Sequence, residues 1–202
     1  MRVTAQAQAA TRQRILEVAQ ELFASQGFDA TTTRDIAKAA GIATGTMFNY
    51  FSSKEAVVGS LAVEALADLG VNFKGSNRER ASLEEDLFAF VAAGLRKLKP
   101  LRKHLPVVLG TALSPLCLNV DDDCCRLRVS HLETVAQLAH KHGLKELPTM
   151  ALQIYWSLYA GLLLFWANDT SPRQEDTLAL LDHSLEMFVS WLTDSSSKPR
   201  DP

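Results

Sequence analysis

The sequence predicts an all-α protein, a short N-terminal helical domain followed by a larger helical one, and three observations carry that prediction. Apolar residues recur at spacings of three and four along most of the chain, and no convincing run alternates with period two. Glycine or proline closes most of the periodic runs. Serine or threonine opens them, twice with glutamate three residues on.

Taken in order, the first helix is expected over 10–26, with Ile15, Ala19, Leu22 and Phe23 on one face and Gly27 as a left-handed stop. Residues 1–10 are polar and small and read as a flexible arm. Thr31, Thr32 and Thr33 offer N-cap hydroxyls for a short helix to Ala40, with Asp35 favouring its dipole and Gly41 ending it. Thr44 is placed to cap a helix over 45–51. Ser52 and Glu55 have capping-box spacing and open a longer helix to about Asn72. The polar segment 74–81 (KGSNRERA) is the best internal break in composition. Ser82 and Glu85 repeat the capping box and open a helix that stops near Pro100. A shorter apolar stretch lies between Pro106 and Pro115. A further helix starts at the acids 121–123 and runs to Gly143, and an apolar helix follows Pro148. Ser171 and Pro172 open the last one, which ends near Thr193. The resulting domains are 1–56, 57–193 and a disordered tail 194–202.

Composition narrows the function classes. With 47% apolar and 22% charged residues, the chain has the balance of an ordinary soluble globular protein. A formal net charge of −2 gives no support to bulk electrostatic attraction to nucleic acid, so any such contact has to be local. Arg2, Arg12 and Arg14 form an acid-free basic segment that suits it. Cys117, Cys124 and Cys125 are too few and too clustered for a disulfide framework, and with no secretory signal a reducing bacterial cytoplasm is expected. Residues 150–167 are uncharged and near the lower length limit for a membrane span. Gln153, Ser157 and the missing basic flank favour a helix buried in protein, so no membrane partner is expected.

The most informative segment is 31–54, TTTRDIAKAAGIATGTMFNYFSSK. It reads as two short helices joined by Gly41, Ile42 and Ala43. Ile36, Ala37 and Ala40 give the first a small packable face, and Met47 and Phe51 give the second an inward one. The rest of the second helix carries small or hydrogen-bonding groups with little bulk over the backbone. Such a helix can enter a major groove, its side chains reading base edges while amides and hydroxyls grip phosphates.

This segment resembles the DNA-binding region of the TetR family, in which a DIA-x-x-AG-[VI] helix and turn precede GT-x-[YF]-x-[YF]-F and an SKE helix start. The likeness runs from Ile15 to about Val57. It implies that Thr33 and Arg34 contact phosphates or the groove edge, and that Thr44, Gly45 and Thr46 present the second helix to bases and backbone. It also implies that Phe48, Asn49 and Tyr50 face DNA, Asn49 being suited to bidentate pairing with adenine, and that Lys54 meets a phosphate. Two positions depart from the commonest pattern. Phe48 stands where tyrosine is frequent and cannot donate to phosphate, and Ala43 stands where serine is frequent and removes one capping option. The resemblance further implies double-stranded DNA with a palindromic operator as partner, and repression as the commoner outcome.

The last helix carries Leu178, Leu181, Leu185, Phe188 and Leu192 in one stripe and Leu180, Met187 and Trp191 in a second. One stripe docks a helix on its own domain; two ask for a second partner, most economically another copy. A homodimer is therefore expected, with Leu181, Leu185, Phe188 and Leu192 at the contact. The family resemblance also implies a ligand pocket in the second domain. Trp156, Tyr159 and Leu163 share a face of the apolar helix, with Leu109 and Leu113 placed to oppose them. An effector for such a lining is small, lipophilic or aromatic.

An alternative is sensing of metal or thiol oxidation through Cys124 and Cys125, near His131, His140 and His142. Adjacent cysteines do not match a zinc spacing, and His140 and His142 point to different helix faces, so surface histidines and an ordinary buried cysteine account better for the pattern. No metal or cofactor is called for. No paired-carboxylate or nucleophile signature marks an enzyme.

Overall fold

Caps and left-handed glycines set most of the helix boundaries. The computed structural model describes residues 4–73, 81–106, 123–144 and 146–197. Among these residues there are eight α-helices and no strand: α1 (Ala5–Ser25), α2 (Thr33–Ala39), α3 (Thr44–Phe48), α4 (Lys54–Asn72), α5 (Leu83–Leu98), α6 (Asp123–Lys141), α7 (Thr149–Asn168) and α8 (Glu175–Ser197). The chain divides into two units, Met1–Glu64 and Ala65–Pro202. The division falls inside α4 rather than between residues 56 and 57. Val57, Val58 and Leu61, on the first two turns of that helix, are buried with the N-terminal unit.

In the first unit α2 packs on α1 and on α3. Ile15, Leu16, Ala19 and Phe23 of α1 are buried with Ile36, Ala37 and Ala40, and with Met47 and Phe51. Burying side chains of this size contributes roughly 1.5–3 kcal/mol each. α1 starts five residues earlier than expected, where the Thr4 hydroxyl accepts from Ala7 N at 3.3 Å. Its first turns, AQAQAA, are exposed and helical through the backbone preference of alanine and glutamine rather than through a packed face.

The second unit places α5 against α6 and α8, with α8 also against α7. Its interior is aromatic as well as aliphatic: Phe90, Tyr155, Trp156, Tyr159, Trp166 and Phe188 are all buried. The expected capping box of α5 is present, with Glu85 N donating to Ser82 Oγ at 3.2 Å and Ser82 N to the Glu85 carboxylate at 3.0 Å. A 3-10 turn over Lys99–His104, with Pro100 near its start, follows α5. Gly143 (φ +88) ends the chain path after α6, Leu144 N reaching Ala139 O and Gly143 N reaching His140 O.

Two boundaries differ from the sequence expectation. Pro172 opens a 3-10 turn, Pro172–Gln174, and α8 begins only at Glu175. Asp169 and Ser171 share the capping role: Ser171 Oγ accepts from Asp176 N at 3.1 Å, and the Asp169 carboxylate accepts from Thr177 N at 3.0 Å and from the Thr177 and Ser171 groups, which hold its pKa well below the usual carboxylate range. Arg173 and Gln174 take left-handed φ values of 53° and 60°, and Gln174 Oε1 accepts from Trp166 Nε1 at 3.0 Å. α8 continues to Ser197, so the start of the expected tail is helical.

α7 is long and apolar enough to cross a membrane by length and composition alone. Here its Tyr155, Trp156, Tyr159, Leu162, Leu163 and Trp166 are buried within the second unit. On α8 the first stripe, apart from Leu178, lies inside its own unit and the second is exposed. Leu181, Leu185, Phe188 and Leu192, expected at a contact with a second copy, are 2–4% exposed within their own unit. Leu178, Leu180, Met187 and Trp191 are the residues left at 38–66% exposure. Periodicity marks both stripes but carries no sign of which faces inward.

Candidate nucleic-acid interface

The surface of interest is built by short helices held by local chemistry. Thr32 caps α2: Asp35 N donates to its Oγ1 at 3.2 Å, and Thr32 N donates back to Asp35 Oδ2 at 3.0 Å. The Thr32 hydroxyl and amide hold the Asp35 carboxyl below its ordinary pKa, keeping an anion at the helix start. Gly41, at φ +69, ends α2: its N–H reaches Lys38 O, and Ile42 N reaches Ala37 O at 3.0 Å. The Arg14 guanidinium lies over that glycine, 3.6 Å from where a Cβ would stand.

α3 starts at Thr44, with Ala43 as its N-cap and no side-chain cap bond. Thr44 therefore does not take over the missing capping role, being already inside the helix. α3 is also shorter than expected. Asn49 is its C-cap, and Tyr50 and Phe51 continue in a turn whose amides both reach Met47 O. Met47, wholly buried, and Phe51 pin this segment from inside. On the outer side Gly45, Phe48 and Asn49 are exposed, and Thr44, Thr46 and Tyr50 are half-buried. Phe48 stands 50% exposed, an unusual amount for a phenylalanine in a packed domain.

The structure thus brings eight of the nine expected DNA-facing residues, Thr33, Arg34, Thr44 to Thr46 and Phe48 to Tyr50, to partly or fully accessible positions of one unit. Lys54 is different. Its Nζ donates to Phe28 O at 2.8 Å and to Thr31 O at 3.3 Å, and sits 4.2 Å from the Phe28 ring centroid. Lys54 therefore ties the loop after α1 to the start of α4. The expected Ser52 cap is displaced by one residue: Ala56 N donates to Ser53 Oγ at 3.2 Å, and Ser53 also lowers the Glu55 pKa.

An open concavity alongside α3 is lined by Gln8, Ala9 and Arg12 of α1 and by Thr46, Asn49 and Tyr50. Arg12 belongs to the basic segment expected to meet nucleic acid, whereas Gln8 and Ala9 were not singled out, because their exposed, stripe-free sequence gives no periodic signal. Arg12 donates from Nη1 to Glu64 Oε1 at 3.2 Å.

In the second unit Trp156, Tyr159 and Leu163 are buried, while Leu109 and Leu113 lie outside the described residues. Tyr159 and Tyr155 line a small, wholly apolar cavity of about 20 Å³ with Val91, Leu158, Leu162, Leu181, Ser184 and Leu185. Beside it sits a residue that the sequence reading placed at the surface. His131 is buried among Phe90, Tyr155, Trp156 and Tyr159, its Nε2 3.1 Å from the Tyr155 hydroxyl. Burial lowers its pKa to about 3, so the ring is neutral. The signal was present in register, since His131, Val135 and Leu138 share one helix face. Trp156 Nε1 is buried without a hydrogen-bond partner. His142 is likewise no free surface group, its Nε2 lying 2.8 Å from the buried Asp86 carboxylate, whereas His140 is exposed. The side chains of Cys124 and Cys125 lie outside the described residues, as does Cys117.

Comparison with known proteins agrees with this architecture. Residues 15–61 match the model of the bacterial regulatory proteins, tetR family. The HTH-type transcriptional repressor KstR2 of Rhodococcus jostii is 47% identical over 58 residues, 29% of this chain and 28% of that protein. A putative mycofactocin biosynthesis transcriptional regulator, MftR of Mycobacterium tuberculosis, is 36% identical over 104 residues, 50% of this chain and 52% of that one. In these matches the chain spans from about a quarter to about half of its curated relatives' length. In fold, the chain is similar to Thermus thermophilus FadR, a TetR-family transcriptional repressor solved with lauroyl-CoA. That likeness has a TM-score of 0.68 at 23% identity and covers 95% of this chain and 97% of the other. Residues 15–61 are thus similar to the DNA-binding region of the tetR family of bacterial regulatory proteins, and the chain as a whole is similar in fold to a solved TetR-family repressor.

Proposed function

We propose that this chain is a sequence-specific DNA-binding transcriptional regulator, a repressor that acts as a homodimer on a palindromic operator and is released by a small, largely apolar effector. One observation carries the DNA reading: the outer side of α3 exposes Phe48 and Asn49 beside Gly45, Thr46 and Tyr50, on a helix pinned by buried Met47. In this reading Asn49 pairs with a base edge, Phe48 makes apolar contact with a sugar or a thymine methyl, and Thr33, Arg34, Thr44 and Tyr50 engage the backbone. Lys54 acts indirectly, by holding the loop that carries α2. Repression is supported by the likeness to KstR2 and FadR, both transcriptional repressors.

The dimer reading rests on the exposed apolar residues of α7 and α8. Leu164, Phe165, Leu178, Leu180, Met187 and Trp191 are 38–66% exposed, and a second copy is the economical cover for them. The effector reading rests on the apolar and aromatic interior of the second unit and on the lauroyl-CoA bound by FadR. A cavity of about 20 Å³ holds about one water, so an effector of ordinary size has to open the site as it binds. That opening is the coupling: the effector selects a conformer that fits it and not the operator.

The test is binding of the purified protein to DNA fragments flanking its own gene at two salt concentrations. Salt-sensitive binding to one palindromic fragment, with a stoichiometry of two chains per site, is expected. Equal affinity for every fragment would refute sequence-specific regulation through these flanks.

A further inference from the structure

Arg12 belongs to two surfaces at once. It lines the concavity beside α3 with Gln8, Thr46, Asn49 and Tyr50, on the side where the proposed function places DNA. Its Nη1 also donates to Glu64 Oε1 at 3.2 Å, while its guanidinium carbon stands 5.4 Å from the Phe51 ring centroid. The two paired side chains are 32% and 36% exposed, so water and salt screen the pair, and an exposed pair of this kind is worth no more than about a factor of five in an equilibrium constant. A backbone phosphodiester offers the same guanidinium two acceptor oxygens and one negative charge, as the carboxylate does, and DNA adds the field of its neighbouring phosphates. Glu64 is the last residue of the N-terminal unit, on a helix that continues beyond it to Asn72.

We propose that Glu64 is a built-in competitor of the DNA backbone for Arg12: it holds the guanidinium in the free protein and yields it to a phosphate in the complex. The carboxylate at 64 thereby keeps non-specific affinity low, and the position of α4 against α1 sets how readily Arg12 is released. This rests on the DNA-binding reading above. Glu64 is a positioning residue and touches no nucleic acid itself.

The test is a double-mutant cycle on a short random-sequence duplex, with titrations over a range of salt. Arg12→Gln is expected to weaken binding and to reduce the slope of log affinity against log salt by about 0.9, the signature of one lost phosphate contact. Glu64→Gln, and equally Glu64→Ala, are expected to tighten binding by about two- to fivefold, and by nothing measurable in the Arg12→Gln background. Thermal melts of each variant check that the fold is retained. Tightening of equal size in both backgrounds would overturn the proposal, since removal of any acid near DNA does that. So would an unchanged affinity for Glu64→Gln beside a weakened Arg12→Gln. A wild-type protein that binds no duplex at any salt would instead overturn the DNA-binding reading, and the proposal with it.

Discussion

The two units of the chain bury different chemistry. Among the described residues of the first, the interior is mostly small and aliphatic with three phenylalanines and Met47, and Thr31 is the buried polar side chain. Among those of the second, Asp86, His131, Thr134, Asp169 and Thr177 are buried beside the aromatic cluster. The first unit is held in shape by caps and glycines at the ends of short helices. The second is held by paired polar groups inside it, Asp86 with Lys141 Nζ at 2.9 Å and His142, and Asp169 with Thr177. Arg102 adds to this by donating to the carbonyls of Trp166 and Asp169 while lying over the Trp166 ring, which closes the end of α7. A DNA-reading surface needs a fixed backbone and little else. A unit proposed to respond to a ligand carries the groups whose pairing can be changed.

That contrast can be broken by experiment, beginning with the largest effect. Met47→Ala leaves a cavity under α3 and is expected to cost about 2–5 kcal/mol of stability and abolish DNA binding. All three tryptophans, Trp156, Trp166 and Trp191, belong to the second unit, so its fluorescence should be unaffected at temperatures where DNA binding is lost. A shift in tryptophan emission of the native Met47→Ala protein would mean that the two interiors are not separately built. Asp86→Ala removes a wholly buried carboxylate and its bonds to Lys141 and His142, for an expected loss of about 1–3 kcal/mol in urea unfolding followed by tryptophan fluorescence. An unchanged midpoint would show that Lys141 and His142 contribute no net stability through it.

Acid sharpens the same comparison. The unfolded chain carries His131 with a pKa near 6.5, and the folded one holds it near 3, so between these values the unfolded state binds the extra proton. Stability contributed by the neutral ring is therefore complete above pH 6.5 and falls as pH drops through the window, by about 1.4 kcal/mol per pH unit. Tryptophan fluorescence should report this loss in the wild type, and His131→Phe should flatten that part of the pH dependence. An identical slope in the variant would remove His131 from the account. The smallest effect belongs to the first unit, where Thr32→Ala should cost about 1 kcal/mol by removing the cap of α2. Loss of DNA affinity with no change in stability would instead assign Thr32 a direct contact.

The same contrast explains what the sequence made legible. The stops at Gly27 and Gly41 and the box at Ser82 and Glu85 depend on residues a few positions apart, and each is present in the structure. Threonine-rich segment 31–33 fixed the start of α2 in the same way, with Thr32 taking the cap. What depended on distant partners was not legible. The two stripes of α8 are equal in period, and their roles are decided by where α5 and α7 pack. Lys54 reads as a free cation until Phe28 and Thr31 are brought to it by the loop after α1. The left-handed backbone at Arg173 and Gln174 follows from the Asp169 and Trp166 bonds around it, and no glycine announces it.

The claim that matters most is that the exposed side of α3 reads base edges. Its most direct test is the ratio of affinities for the best-bound duplex and a scrambled one at fixed salt, in the wild type and in Asn49→Ala. A wild-type preference that falls by about 1–3 kcal/mol in the variant, with affinity for the scrambled duplex retained, is the predicted result. An Asn49→Ala protein that keeps the full preference would contradict the assignment and move sequence reading away from α3.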